Sequence, residues 1–312
     1  MNRLKIQFFH SKYGGPSVFM RRLRRYLADH YNIKVTDNNP DLYLSAVWRG
    51  NPPKGAKVIH RVDNCYFDKS NKDRVSFNNK IRTAIKKADG VIYQSNFSRS
   101  LCNEILGTRA SKSVEIHNGF DQSLCGDIVP FKHDYEYLFV ACALWRPIKR
   151  PQSIMRAFIK AEIPNSSLIM IGDGIKNKPS DPNIICTGSL KPKDTYKYYK
   201  AATAIIHISR MESCPNSVVE GLSFGKPIVC NNAGGTKEIV KNDGIVVDLD
   251  PIDNFKSFSM RYPESIDIDK LAFAIRDITK KKWDVCRPDL SMKSCVKKYY
   301  DFFNTVLQNE SN

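Results

Sequence analysis

Residues 201–240, AATAIIHISRMESCPNSVVEGLSFGKPIVCNNAGGTKEIV, constrain the fold more than any other stretch of the chain. The apolar run 204–209 reads as a buried strand, 210–215 as a polar loop, and 216–224 as a short helix closed by Gly225. A second strand, 227–231, follows at once. Strand, loop, helix and strand in this order build a unit of a parallel α/β sheet. Such units hold ligands at the carboxyl ends of their strands, beside the unbonded N–H groups that open the next helix.

Glu212 and Glu220 stand in this unit with seven residues between them. They cannot share one helix face, because Pro215 interrupts the interval. Folded back, the loop would let both carboxylates line one cavity with Pro215, Asn216 and the free amides of Ser217, Val218 and Val219. Carboxylates accept the paired hydroxyls of a ribose or a sugar, and helix amides suit a phosphate. A ligand carrying both groups is a nucleoside diphosphate sugar. The competing reading is an ordinary βαβ unit whose acids are solvated.

On these residues the chain resembles the retaining glycosyltransferases of family 4. Their pattern of two glutamates, Gly-x-Pro-Val and Gly-Gly-x-x-Glu falls here on Glu212, Glu220, Gly225, Pro227, Ile228, Gly234, Gly235 and Glu238. Leu222 and Ser223 replace the family's frequent Ala-Met. The resemblance implies an α/β protein of GT-B fold: two Rossmann-like domains facing across a cleft, with a C-terminal helix crossing back to the first domain.

A chain of 312 residues, 42% of them apolar, has room for two α/β domains. HNGFD at 117–121 resembles the family's Asn-Gly-Val-Asp, which ends the first domain. The expected division is 1–128 for the acceptor-side domain, 129–290 for the nucleotide-sugar domain and 291–312 for the terminal helix. Nine scattered cysteines without a C-x-x-C pair argue against a disulfide framework and a zinc site. No apolar run is long enough to span a membrane, and MNRLKIQFF leads straight into a strand pattern, so a cytoplasmic location is expected. The net charge of +17 implies anionic partners, with peripheral contact to an anionic membrane among them. No nucleic-acid module signature appears, which sets nucleic acid last.

Along the first half, the strand 4–9 precedes a loop with paired glycines, Gly14 and Gly15, that lets backbone approach a phosphate. It is neither Gly-x-Gly-x-x-Gly nor a P-loop, so NAD and ATP are unsupported. In the resembled family this loop faces the donor diphosphate. The strand 56–59 runs into His60, Arg61, Val62 and Asp63. A histidine at a strand's carboxyl end sits at the mouth of the sheet, where functional groups collect, and the family commonly has one at about this place that hydrogen-bonds the donor sugar, which makes His60 the candidate. Arg61 and Asp63 either pair with each other or face the acceptor.

In the second half the apolar strand 137–144 is followed by Trp145-Arg146-Pro147-Ile148-Lys149-Arg150. Two cations three residues apart can clamp a diphosphate. The family's Arg-x-x-x-Lys segment is one residue longer, so Lys149 ranks first as the second cation and Arg150 next. A solvated basic loop is the bland alternative. Gly172 resembles the start of the family's Gly-x-Gly turn, and Ser189 and Leu190 fall where the family touches the nucleobase. DLD at 248–250 and DID at 267–269 mimic a metal-binding Asp-x-Asp, but on this reading both sit far from the cation clamp and are taken as chance.

The resulting expectation is transfer of a hexose-like sugar, with retention, from a nucleoside diphosphate donor to a hydroxyl of a glycan, lipid-linked glycan or glycoprotein. UDP or GDP is the expected carrier, and neither metal nor cofactor is required. Arg146, Lys149, Gly15 and the helix amides would hold the leaving phosphate, Glu220 the ribose, and Glu212 and His60 the sugar. The alternative is a non-catalytic binder of nucleotide sugars or anionic polymers.

Overall fold

The structure is a computed structural model that describes residues 3–10, 15–47, 49–68, 71–250 and 265–308. Among these residues it divides into two compact units, one from residues 3–119 with 289–308, the other from 120–250 with 265–288. Each unit is a six-stranded, wholly parallel sheet flanked by helices, so the strands are buried runs of Val, Ile and Leu instead of alternating patterns.

The first unit runs β1 (Leu4–Phe9), α1 (Gly15–His30), β2 (Ile33–Val35), β3 (Leu42–Ala46), β4 (Lys57–Val62), α2 (Arg74–Lys86), β5 (Gly90–Tyr93), α3 (Asn96–Leu106) and β6 (Ser113–Glu115). Its sheet order is β2-β1-β3-β4-β5-β6. Helix α1 buries Phe19, Met20, Leu23 and Leu27, an i, i+1, i+4, i+8 stripe that faces the sheet. Helix α3 starts on a reciprocal Ser95/Ser98 capping box and stops at Gly107, whose φ of 59° is the left-handed conformation that ends helices.

The second unit runs α4 (Leu124–Asp127), β7 (Tyr137–Cys142), a 3₁₀ turn (Pro147–Lys149), α5 (Pro151–Ala161), β8 (Ser166–Ile171), β9 (Ile184–Gly188), α6 (Pro192–Ala201), β10 (Ala204–His207), α7 (Asn216–Ser223), β11 (Ile228–Asn231), α8 (Thr236–Val240), β12 (Gly244–Val247) and α9 (Ile268–Asp277). The order β12-β11-β10-β7-β8-β9 has a physical consequence. From β7 the chain winds outward to one edge, then returns to the other side of β7 and winds outward again. The connections after β7 and β10 therefore diverge, and a crevice opens at the carboxyl ends of these two neighbours.

Helix α10 (Met292–Leu307) belongs to the first unit, although it is the last element of the chain. Its buried stripe of Met292, Cys295, Val296, Tyr299, Phe302, Phe303 and Val306 joins the core formed by Ile6, Leu44, Ile59 and the apolar face of α1. Gly90 and Gly119 make this contact possible. An added Cβ would stand 2.7 Å from Val306 Cγ2 at the first and 2.6 Å from Cys295 Cβ at the second.

The strands expected at 4–9, 56–59, 137–144, 204–209 and 227–231 all appear, with ends moved by at most three residues. Helix α9 was not expected. Its start is DID: Asp267 accepts from the amides of Asp269 (2.9 Å) and Lys270 (3.1 Å) as an N-cap. No helix among the described residues is long and apolar enough to cross a membrane.

Candidate functional site

The crevice of the second unit is built from the ends of β7 and β10. After β7 the chain crosses Ala143–Trp145 and enters the 3₁₀ turn that carries Lys149. That crossing is held by the GDG turn after β8. The Trp145 amide donates to Asp173 O (2.8 Å) and its indole to Ile171 O (3.0 Å). Gly172 (φ 115°) and Gly174 (φ 98°) must be glycine there. A Cβ would stand 1.8 Å from Ala143 O at the first and 2.3 Å from Trp145 O at the second. Gly172 thus supports the cation-bearing loop.

After β10 the loop turns through Met211, whose positive φ of 66° is uncommon for a side chain of that size. The strain is over-determined by the Gly234-Gly235 turn. Gly235 N–H donates to Glu212 O (2.8 Å), and at Gly234 (φ 81°) a Cβ would stand 2.9 Å from that oxygen. The paired glycines therefore fix the backbone of Glu212.

These two loops bring Lys149 and Glu212 together. The Lys149 ammonium is bonded to Glu212 Oε1, and Glu212 Oε2 lies 2.7 Å from His207 Nε2. The other ring nitrogen of His207 faces Ser217 Oγ at 3.3 Å, in the first turn of α7. Lys149, Glu212, His207 and Ser217 thus form a line of close polar contacts. Burial alone would raise the Glu212 pKa, but the Lys149 charge and the His207 contact outweigh it and hold the carboxyl well below the usual range. The Cys142 thiol, at the end of β7, is pushed up to about 11, first by burial and then by the Glu220 carboxylate, against the opposing Lys149 charge. Glu220 and Lys149 therefore both lie within electrostatic reach of the end of β7. Arg146, which precedes the 3₁₀ turn, is exposed and makes no ion pair among the described residues.

Other expected residues stand elsewhere. Arg150 is not an available cation: it is 4% exposed and clamps Asp250 with a two-pronged guanidinium contact, 2.8 Å from Nη1 to Oδ2. Asp250 belongs to DLD, so that motif does not lie far from the cation segment; long-range folding brings it there. Asp250 also accepts from Asn231 Nδ2 (2.6 Å) and faces Arg210 Nε at 3.5 Å. Among the α7 amides, those of Val218 and Val219 are not free, since both donate to Pro215 O at 3.2 Å. Pro215 precedes α7 as its N-cap and Asn216 opens it. Ser189 bonds Asp173 through its amide at 3.0 Å and through its hydroxyl, and it is exposed, with Leu190 beside it partly buried. Gly15 is the first residue of α1. Gly14 lies outside the described residues.

In the first unit, His60 is the fourth residue of β4 and not its carboxyl end, because that strand continues to Val62. It is 1% exposed, with Nδ1 2.9 Å from Ser45 Oγ. Arg61 and Asp63 pair with each other. Arg61 also donates to Asn118 Oδ1 (2.7 Å) and lies over the Phe19 ring, while Gln94 donates to Asp63 Oδ1 (2.8 Å).

Burial first, then the charges of Arg49 and Arg61, push the His60 pKa down to about 4. An unfolded histidine titrates near 6.5, so between about 6.5 and 4 the unfolded chain binds the extra proton and stability falls with falling pH. The loss on going from pH 7 to pH 5 is about 2 kcal/mol. Thermal unfolding at the two pH values should show it, and His60→Gln should flatten the difference. An unchanged slope in the variant would refute the assignment.

His207 was missed. It ends an apolar strand at the mouth of the sheet, the very position that the sequence argument sought for His60.

Residues 135–258 match the family described as glycosyl transferases group 1. An uncharacterized glycosyltransferase of Methanocaldococcus jannaschii is 24% identical over 177 residues, which cover 50% of this chain and 43% of that protein. Three solved structures are similar over nearly the whole of both chains. Sucrose-phosphate synthase from Thermosynechococcus elongatus has a TM-score of 0.72 at 14% identity, covering 97% of this chain and 99% of that one. Anabaena HepE in complex with UDP has 0.69 at 14%, covering 96% and 100%. A glycosyltransferase from Rickettsia africae has 0.67 at 16%, covering 99% and 100%. At these identities the solved structures establish the fold, and the chain has the two-domain α/β fold of the GT-B glycosyltransferases.

Proposed function

We propose that the chain is a retaining, family 4 glycosyltransferase that moves a hexose-like sugar from a UDP or GDP donor to a hydroxyl of a glycan or lipid-linked acceptor. The observation that carries this reading is the Lys149–Glu212 pair at the crevice between β7 and β10. Ligands of parallel sheets collect at that crevice. The family match over 135–258 and the UDP bound by Anabaena HepE agree with a nucleotide there.

In this reading Glu212 does not hold the sugar alone. It fixes the ammonium of Lys149, whose remaining N–H bonds turn to the donor diphosphate. Arg146, unpaired among the described residues, supplies the second charge. The Ser217 amide meets a phosphate oxygen, and Glu220 accepts the ribose hydroxyls. As the bond from the anomeric carbon to the diphosphate breaks, charge gathers on the departing oxygen, where fixed cations stabilise it most. The diphosphate oxygen takes the acceptor's proton on the same face, which gives retention without a protein nucleophile, metal or cofactor. The proposed setting is cytoplasmic, peripheral to an anionic membrane.

Incubation with UDP- and GDP-sugars plus an acceptor extract tests the reading. The expected result is acceptor-dependent release of nucleoside diphosphate. Binding without release would support the second reading, a non-catalytic nucleotide-sugar binder. That reading is favoured by one fact, the contacts that both Glu212 oxygens already make, one with Lys149 and one with His207.

A further inference from the structure

A groove of about 1000 Å³ opens on the first unit, between the loop after β3 and one face of α2. Arg49, Lys72, Lys80 and Lys87 line it, with no carboxylate among the lining residues. Asn79 and Thr83 supply neutral hydrogen-bonding groups between the cations, and no aromatic ring contributes. Arg49, Lys72 and Lys87 have no ion pair among the described residues, and Arg49 Nε is buried without a hydrogen-bond partner there. Gly50 fixes the loop that presents Arg49: its φ is 64°, and a Cβ would stand 2.3 Å from the Tyr43 hydroxyl.

We propose that this groove is a binding site for an anionic polysaccharide. Arg49, Lys72 and Lys87, without an ion pair among the described residues, repel one another, and an elongated polyanion relieves that repulsion. Lys80 and Lys87 lie two helical turns apart on one face, about 10 Å at 1.5 Å per residue. That spread suits charges repeated along a chain better than one small anion. Amide and hydroxyl side chains between the cations match sugar hydroxyls. Single-stranded nucleic acid, by contrast, is held by stacking on aromatic rings, which this lining lacks. Whether the bound polysaccharide is also the sugar acceptor rests on the transferase reading above; the binding itself does not.

The test is fluorescence anisotropy of the full chain with labelled polygalacturonate (carboxylate) and a phosphomannan (phosphodiester), with neutral dextran as control. One or both acidic glycans should bind and dextran should not, which also identifies the charged group. The variant K72Q/K80Q/K87Q, altered only at exposed positions, should bind at least tenfold more weakly, with a shallower salt dependence. Its melting temperature should match that of the parent. Lys149→Ala should bind the glycan normally, so loss of sugar transfer and loss of glycan binding remain separable. Unchanged affinity in the triple variant would overturn the site. Equal or tighter binding of a single-stranded oligonucleotide or of phosphatidylglycerol vesicles, weakened by the same substitutions, would overturn the assigned ligand.

Discussion

Lys149→Ala is expected to lower sugar transfer by about 10²–10³-fold while the protein stays folded, the usual cost of removing one group that stabilises a departing charge. Lys149 is the point where two loops meet, since its turn follows β7 and its partner Glu212 follows β10. The alanine variant removes the cation and also frees Glu212, leaving negative charge where the diphosphate must sit. Stability should suffer little: 26% of the Glu212 side chain is exposed, and His207 still contacts it. The check is release of nucleoside diphosphate, with a thermal melt beside it to confirm folding. Lys149→Arg should recover part of the rate. Near-normal turnover in the alanine variant would remove the basis for the site.

Asp250→Ala has the opposite character, a large loss of stability from a residue outside the proposed chemistry. Its carboxylate lies between Arg150 and Arg210, each 4% exposed, and accepts from Asn231. Burial would raise its pKa, but the Arg150 and Asn231 bonds, with the Arg210 charge, keep the group ionised below the ordinary range. Removing one partner of a buried ion pair strands the others, at about 3–5 kcal/mol. For a unit of this size the melting temperature should fall by about 10 °C. Asp250→Asn keeps the shape and some of the bonds, and should fall between the two. The contribution is lost only as pH drops through the lowered Asp250 value, so it is separable from the His60 effect, which begins near pH 6.5. A melt within about 2 °C of the parent would show that the network is not structural.

The contrast between these residues explains what was legible in the sequence. Glu212, Glu220 and the glycines at 234–235 could be read because their geometry is local: a proline, a short helix and a tight turn fix them within 30 residues. The parallel strands were legible for the same reason, as apolar runs bounded by turn residues. Arg150 misled because its partner stands 100 residues away, and no local pattern shows that an arginine beside Lys149 is already engaged. DID, read as a chance match to a metal motif, proved to have a structural use that the reading did not give it: Asp267 caps a helix and Asp269 donates its amide to that cap. His60 was chosen for standing at a strand end. His207 does stand at one, but the sequence reading carried that strand on to 209, which placed His207 inside it; only the folded chain shows that β10 stops there.

The enrolment of α10 in the first unit has a consequence for biogenesis. Residues 116–291 emerge from the ribosome between β6 and the helix that seals the first hydrophobic core. Until then the nascent first sheet keeps a greasy face that no neighbour covers, while the second unit has everything it needs to fold. The half that is made first is finished last, and the interval between is when a chaperone would matter most to this chain.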